Sequence, residues 1–454
     1  MLLSNLLSGL FFTTAGFAQG KEGTRLNLEA TVSGDSKIET VTNQLVEKEI
    51  ELARLTTLFR RNNVRETKLH KWLTVGFNTA AYATADAGNI VTFINGYKYH
   101  TRPQDLNLGT AESGPLLIFL GELLFFTKTC TLSGLDIWHH YQIKSRGFDR
   151  KTFESRAAQL ETAIHSLLSQ RQQLVNASGV NAYAQEQAVL QDISDGLYKE
   201  FVYNYGRSKK IQAFHATENI ITSYTSATGA WVGGLGIFEA AQHVRPRTAA
   251  VGGIGFIFSG LGFIAKDCGS RWMSLRAQKK AKAELLARHG VAAADPVSKL
   301  SSDILPLGAV GVTSIQKRQK IYATMHTVLT KDQLLSQTEE REEYHRFLHD
   351  QTINTAEGLA NIAAGTILVN SGYRFNYSQN PLVQIDHGRK FLRRFATSAL
   401  VFTPTASAGI IDTPAEAIYG EWRHKKDCKK GACPEVALTD RLTLLDQAES
   451  AIKQ

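Results

Sequence analysis

The sequence predicts an all-α protein, and more specifically a polytopic helical membrane protein with about six modest transmembrane helices arranged as three hairpins. Apolar segments recur in pairs along the 454 residues, and amphipathic segments with apolar residues spaced by three and four separate the pairs. Alternating β-branched runs, which indicate strands, are rare. A mean hydropathy of −0.18 is low for a chain made only of spans, so we expect polar helices between the hairpins.

The chain begins with an apolar stretch, residues 1–18, that we interpret as a signal peptide or, alternatively, as an uncleaved anchor. It ends in Gly16-Phe17-Ala18, a small-x-small cleavage pattern, although no basic residue precedes it. Residues 19–66 form a polar segment with an amphipathic helix whose apolar rhythm is interrupted by Lys48. Export would place the protein in the cell envelope and would permit disulfides.

The first predicted hairpin covers residues 70–142, and its second helix contains the bulkiest apolar run, from Leu116 to Phe126. A polar helical linker at 143–215 follows it. This linker carries amphipathic helices with coiled-coil-like seams, the first of which is interrupted by Arg171. Such seams favour packing against other helices on the polar side of the protein.

The second hairpin, residues 216–274, has two faces of small residues. No residue from Thr248 to Ala265 is charged, which is just long enough for a span candidate. Small residues allow two membrane helices to approach closely. The stripe that we expect to form this contact comprises Gly229, Gly233, Gly236, Gly252, Gly255 and Gly262. A soluble hairpin in a large core is the alternative, whereas the glycine spacing does not match a dinucleotide-binding G-x-G-x-x-G loop.

The remaining chain repeats this plan, with a polar helical linker at 275–350, a third apolar hairpin at 351–422 and a basic tail at 423–454. Each hairpin closes with a tryptophan followed by basic residues, a combination that suits the interface between membrane and water. The three tryptophans are Trp138, Trp272 and Trp422. The three hairpins therefore resemble one another, although their spacing is irregular.

The tail contains Cys428 and Cys433, five residues apart in a lysine- and glycine-rich loop. We predict a disulfide between them if this end of the protein lies outside the cytoplasm, because Gly431 allows the chain to turn. Two cysteines cannot form a structural zinc site by themselves. The histidine pair at 139–140 points in two directions on a helix and predicts no metal site.

Two acidic residues inside apolar segments, Glu122 and Asp412, are candidates for an intramembrane polar path. A charge at the centre of a bilayer costs about 2.5–3.5 kcal/mol, so such residues usually face a bundle interior or water. The alternative is that they lie near the interface or in a soluble core. We expect no cofactor.

The formal net charge of +9 is compatible with nucleic acid or with anionic lipid. Basic residues flank the apolar segments and do not alternate with aromatic ones, so we expect a lipid bilayer as partner and no nucleic acid. No catalytic motif is present, such as H-E-x-x-H, G-x-S-x-G or C-x-x-C, so we do not expect an enzyme.

The sequence thus favours a non-enzymatic integral membrane protein of the envelope that serves as a scaffold or binds other envelope proteins through its polar helices, as a monomer or an oligomer. A small transporter or channel is one alternative, and a soluble exported helical protein is another. The hairpin plan puts all polar helices on one side of the membrane. The signal peptide predicts the outside for them, whereas the basic flanks predict the cytoplasm.

Overall fold

The protein is helical throughout the part of the chain that its structure, a computed structural model, describes: residues 22–63, 68–242, 245–289, 296–309, 312–376, 378–429 and 433–453. These residues contain no strand, which confirms the all-α fold class. The predicted signal peptide, residues 1–18, lies outside the described residues.

Eleven α-helices are present in these ranges. Short 3₁₀ turns precede α3 and follow α8, and a π-helical turn, Thr222–Ala227, joins α5 to α6. The helices are α1 Glu22–Asn63, α2 Lys68–Tyr99, α3 Leu108–Ser145, α4 Arg150–Ser178, α5 Asn181–Ile221, α6 Thr228–Gln242, α7 Pro246–His289, α8 Pro296–Ile304, α9 Thr313–Arg374, α10 Pro381–Lys429 and α11 Pro434–Ile452.

One group of helices forms what we call the polar bundle: α1, α4, α8 and α11 with residues 181–208, 275–289 and 313–340. Its members share one apolar core, in which the rings of Phe59 and Phe153 stack with their centroids 3.7 Å apart. The apolar seams predicted for the polar segments supply this core, since each amphipathic helix buries one stripe. The polar segments between the hairpins therefore join into a single body.

The other group forms what we call the helical ring: α2, α3 and α6 with residues 246–274, 351–374 and 381–422. In this ring α2 packs on α3, α3 on α6, α6 on α7, α7 on α9, α9 on α10, and α10 again on α2. Its turn end carries the short connections between paired helices, and its bundle end faces the polar bundle.

Several helices run without a break from the ring into the bundle. The helix α9 has 62 residues and would be about 93 Å long at the usual rise of 1.5 Å per residue. The boundaries predicted after residues 215, 274, 350 and 422 all fall within continuous helical stretches. The chain has no proline or positive-φ glycine at these points to end a helix.

The ring interior is apolar near the turn end. Side chains from five helices meet there in what we call the apolar plug, in which the rings of Phe256 and Phe402 lie 4.8 Å apart. Its members are Ile118, Ile237, Phe256, Leu368, Phe391, Phe395 and Phe402.

Two helical stretches among the described residues are long and apolar enough, by length and composition, to cross a membrane. They lie within Gly109–Ser178 and Pro246–Ala287, and so include α3 and α7. The other predicted spans are less apolar or carry more charge.

Candidate functional site

The phenol of Tyr82 on α2 donates a hydrogen bond to Glu357 Oε2 on α9, at 2.7 Å. These two helices flank α10, so the bond passes through the ring interior behind that helix. Glu357 is 8% exposed, whereas Tyr82 is half-buried. The bond thus places a carboxylate in the middle of an otherwise apolar group of helices.

Of the two predicted path residues, the structure brings Glu122 to this pair, whereas Asp412 lies at the bundle-end rim, where 37% of its side chain is exposed. Glu122 on α3 is close enough to Glu357 for their charges to interact, and the charges of Glu122 and Asp412 both act on Tyr82. Glu122 lies four positions beyond Ile118 of the apolar plug, about 6 Å closer to the bundle end. Glu122 is therefore the carboxyl group nearest to the plug along its helix.

Two lysines face the same region. Lys128 Nζ donates to Asn78 Oδ1 at 2.9 Å, and its charge interacts with those of Lys266, Glu218 and Glu357. We call Tyr82, Glu122, Lys128, Glu218, Lys266 and Glu357 the interior charged cluster. Three carboxyl groups and two ammonium groups meet in this cluster.

Polar residues continue from the cluster towards the bundle end. Asn354 Nδ2 donates to the buried Asp267 Oδ2 at 2.7 Å, and Asp267 interacts with Lys266 of the cluster. Further on, His349 lies 3.5 Å from both Asp350 and Asp412. The bundle end of the ring is thus polar from the interior to its exposed rim, whereas the turn end is closed by the apolar plug.

A second buried polar stripe lies between α2 and α10. Ser407 Oγ donates to Asp86 Oδ2 at 2.8 Å, and Asp86 is 7% exposed. The other Asp86 oxygen and Asn89 Oδ1 are buried and have no hydrogen-bond partner among the described residues, and the same holds for Thr92 Oγ1, which faces Gly114 of α3. The sequence offered a signal here, since residues 86 and 89 are three positions apart and share one helical face.

The glycine stripe of the second hairpin lies where α6 meets α7. A Cβ added at Gly255 would lie 2.6 Å from both Gly229 O and Gly233 N, too close for any side chain. A second close approach of two backbones joins Gly253 of α7 and Gly365 of α9. The sequence did not predict that these two glycines would meet. Its signal was the seven-residue spacing of glycines in α9, which marks one helical face.

In the tail, the structure joins the sulfur atoms of Cys428 and Cys433 in a disulfide. This bond connects the end of α10 to the start of α11, with the two Cα atoms 4.6 Å apart. Cys130 and Cys268 are free and exposed.

The chain matches no protein-family model, no curated protein and no solved structure. What the interior charged cluster can do therefore follows only from the chemistry of its own side chains. Buried and half-buried carboxyl groups that face lysines and a phenol can bind a cation or pass a proton between neighbours.

Proposed function

We propose that this is an integral membrane protein whose helical ring spans the bilayer. The polar bundle then lies in water, on one side of the membrane. The observation that carries the proposal is the inverted character of the ring, which has large apolar side chains on its outer surface and charged groups inside. In water, exposed apolar patches of this extent are rare. The outward-facing residues include Ile90, Ile94, Leu116, Leu120, Phe126, Val251, Ile254, Phe258, Leu261, Leu359, Leu400 and Ile411.

Exposed aromatic residues at both ends of the ring support this proposal. On α2, Trp72 and Tyr97 are separated by 25 positions, about 38 Å of helix. That length exceeds the roughly 30 Å hydrocarbon core and stays within the 40–45 Å that includes the headgroups. Exposed Trp138, Trp272 and Trp422 lie at the bundle end with Trp72, as expected for an interfacial aromatic belt.

The turn end of the ring carries the basic groups that headgroups require. His100, Thr101, Arg389, Lys390 and Arg393 line a cavity of about 270 Å³ there. Lipid phosphates would meet cations at this end and the basic clusters after the tryptophans at the other.

Within this membrane protein, we favour a path for cations or protons over a purely structural role. Charged residues at membrane depth usually line a path or a water-filled cavity, and the cluster carries an excess of carboxyl groups. The apolar plug beside it has the character of a hydrophobic gate, which would open to the turn end when its aromatic rings move.

The second candidate is the scaffold role, and the polar bundle favours it. The N-terminal helix, the two linkers between hairpins and the tail helix combine there into one body with its own core, which lies beyond the aromatic belt. Such a rigid surface suits binding of other envelope proteins. This candidate predicts a bound partner and no flux.

Two experiments test these proposals. Alkaline carbonate extraction should leave the protein in the membrane pellet, and release into the supernatant would favour the soluble exported protein instead. Proton and K⁺ flux should then be measured in proteoliposomes with the wild type, with Glu122→Gln and with Glu112→Gln as a control on the same helix outside the cluster. Loss of flux in Glu122→Gln alone would support the path. Absence of flux from all three proteins would support the scaffold role instead.

A further inference from the structure

The disulfide in the tail lies beside two further groups that bind metals. His424 precedes Cys428 by one helical turn on α10, so both side chains share a face. Cys428 Sγ lies 3.5 Å from His424 Nε2. Glu435 lies in the first turn of α11, and its Oε1 is 3.1 Å from the same His424 nitrogen.

These distances, 3.5 and 3.1 Å, are close to the edges of a tetrahedron around one metal ion. Zinc binds sulfur at about 2.3 Å and nitrogen or oxygen at about 2.0–2.2 Å, which puts neighbouring ligand atoms about 3.3–3.8 Å apart. The ligand atoms of His424, Cys428 and Glu435 all lie within 4.8 Å of one another. Cys433 Sγ is bonded to Cys428 Sγ, outside this group of three, and becomes a further thiol ligand once the bond is reduced.

The surroundings suit a metal site. Cys433 is 1% exposed and is the N-cap of α11, where the helix dipole stabilises a thiolate. Three of the four groups come from the ends of two helices that long-range ion pairs hold in position, among them the contact of Arg441 with Glu200. The four ligands are therefore held on two fixed elements, as affinity for a metal requires.

We propose that Cys428, Cys433, His424 and Glu435 form a redox-controlled zinc site, in which the disulfide excludes the metal and the reduced pair binds one Zn²⁺. A soft ligand set of two thiolates and one imidazole selects zinc over calcium or magnesium. The site is independent of whether the ring spans a membrane.

The conversion of the disulfide form into the reduced form is balanced in atoms and electrons when a dithiol is the reductant. The dithiol is oxidised to its own disulfide, and its two electrons and two protons convert the Cys428–Cys433 bond into two thiols. Binding of Zn²⁺ then releases the two thiol protons to solvent, while neutral His424 and ionised Glu435 complete the coordination. Oxidation of the two thiolates to the disulfide reverses the sequence and releases the metal.

The test uses the full-length protein in detergent micelles, either oxidised or reduced and freed of reductant. Co²⁺ is titrated first, because a tetrahedral thiolate site gives visible d–d bands and a sulfur-to-cobalt charge-transfer band. Zn²⁺ affinity then follows from competition with a chromophoric chelator. The reduced protein should bind one equivalent, and the oxidised protein should bind none at this site.

Single variants separate a four-ligand site from simple thiol binding. His424→Ala and Glu435→Gln should each weaken Zn²⁺ binding by at least the roughly tenfold that loss of even an outer partner causes. His345→Ala, which removes an exposed histidine on α9, is the matched control and should bind normally. Far-UV circular dichroism checks that each variant keeps its helices.

Oxidation of the loaded wild type with diamide should release one equivalent of zinc. Equal binding by the oxidised and reduced forms would overturn the proposal, as would unchanged affinity in both His424→Ala and Glu435→Gln.

Discussion

Arg441 in the last helix donates from Nη2 to both carboxylate oxygens of Glu200, at 2.5 Å each, across 241 positions of sequence. A second ion pair joins Arg441 Nη1 to Asp332 Oδ1 at 2.8 Å. Arg441 is 2% exposed, and both partners are also buried. The C-terminal helix is thus attached to the polar bundle by charges that water does not reach.

Replacing this arginine should destabilise the bundle strongly. Arg441→Met keeps the volume but leaves two buried carboxylates short of a cation, and removal of one partner of a buried pair costs about 3–5 kcal/mol. Arg54→Met is the matched control, because Arg54 pairs with Asp446 and Glu449 on the same helix at the surface. A surface pair contributes about 1 kcal/mol or less. Urea unfolding followed by circular dichroism measures both, and equal midpoints would contradict a special role for the buried pair.

The contact of α6 with α7 should not tolerate a larger side chain at its centre. Gly255→Leu places a side chain against the backbone of Gly229 and Gly233, and such overpacking typically costs about 1–3 kcal/mol. Phe258→Leu on the same helix, at a side chain that is 57% exposed, should change stability little. Thermal denaturation in detergent compares the two, and equal shifts would deny the stripe a packing role. Phe256 is unsuitable as the control because it is 1% exposed in the apolar plug.

A buried carboxyl group in the polar bundle should make stability fall as pH rises. Burial raises the pKa of Glu161 to about 7 from its ordinary value of 4.5. Between these two values the folded protein keeps a proton that the unfolded chain has lost, so stability declines across this window and is constant above it. Glu161→Gln should remove the decline and stabilise the protein at pH 8, by at most about 3 kcal/mol at 1.36 kcal/mol per pKa unit.

Thermal midpoints of the wild type and Glu161→Gln at pH 5, 6, 7 and 8 measure this effect. The exposed Glu47 provides the control, since Glu47→Gln should leave the slope with pH unchanged. If the difference between the thermal midpoints of the wild type and Glu161→Gln does not change from pH 5 to 7, Glu161 is ionised throughout and the prediction is wrong.

The redox state of the tail should locate the polar bundle. If the bundle lies outside the cytoplasm, Cys428 and Cys433 should be joined in freshly isolated protein and should react with thiol reagents only after reduction. The measurement labels intact cells with a membrane-impermeant maleimide, with and without prior reduction, in a variant that carries Cys130→Ser and Cys268→Ser so that only the tail pair can react. Free thiols that are labelled only after cell lysis would place the bundle in the cytoplasm. A five-residue separation gives the bond little effect on stability, below the roughly 3 kcal/mol of a fifteen-residue loop.

The sequence could predict those features that depend on local periodicity. Apolar residues spaced by three and four, together with the scarcity of β-branched runs, predicted helices throughout, and the structure confirms the all-α class. The glycine spacing in the second hairpin marked the faces on which α6 and α7 approach each other. The apolar residues of α1 and α4 were recognised as seams, and they form the bundle core.

The same seams also show what local sequence patterns do not predict, namely which charged residue of a seam is buried. Lys48 and Arg171 both interrupt an apolar rhythm, and the sequence treats them alike. In the structure Lys48 pairs with Glu51 at the surface, whereas Arg171 is fully buried and contacts Glu186, Gln187 and Thr42. A charge can be buried only where other elements bring its partners to it, and Glu186 is further shared with Arg318 at 2.8 Å.

What the sequence by itself determined is therefore the helical class, the alternation of apolar and polar segments and the presence of two acidic residues inside apolar segments, Glu122 and Asp412. Only the tertiary structure decided that Glu122 lies near Tyr82 and Glu357 while Asp412 pairs with His349 at the rim, and that His424 and Glu435 lie beside the cysteine pair. The physical reason is the separation in sequence between the residues that decide each feature. Helix periodicity is set by contacts three or four residues apart, whereas a site is set by which distant helices pack together, and that choice depends on the fit of whole surfaces.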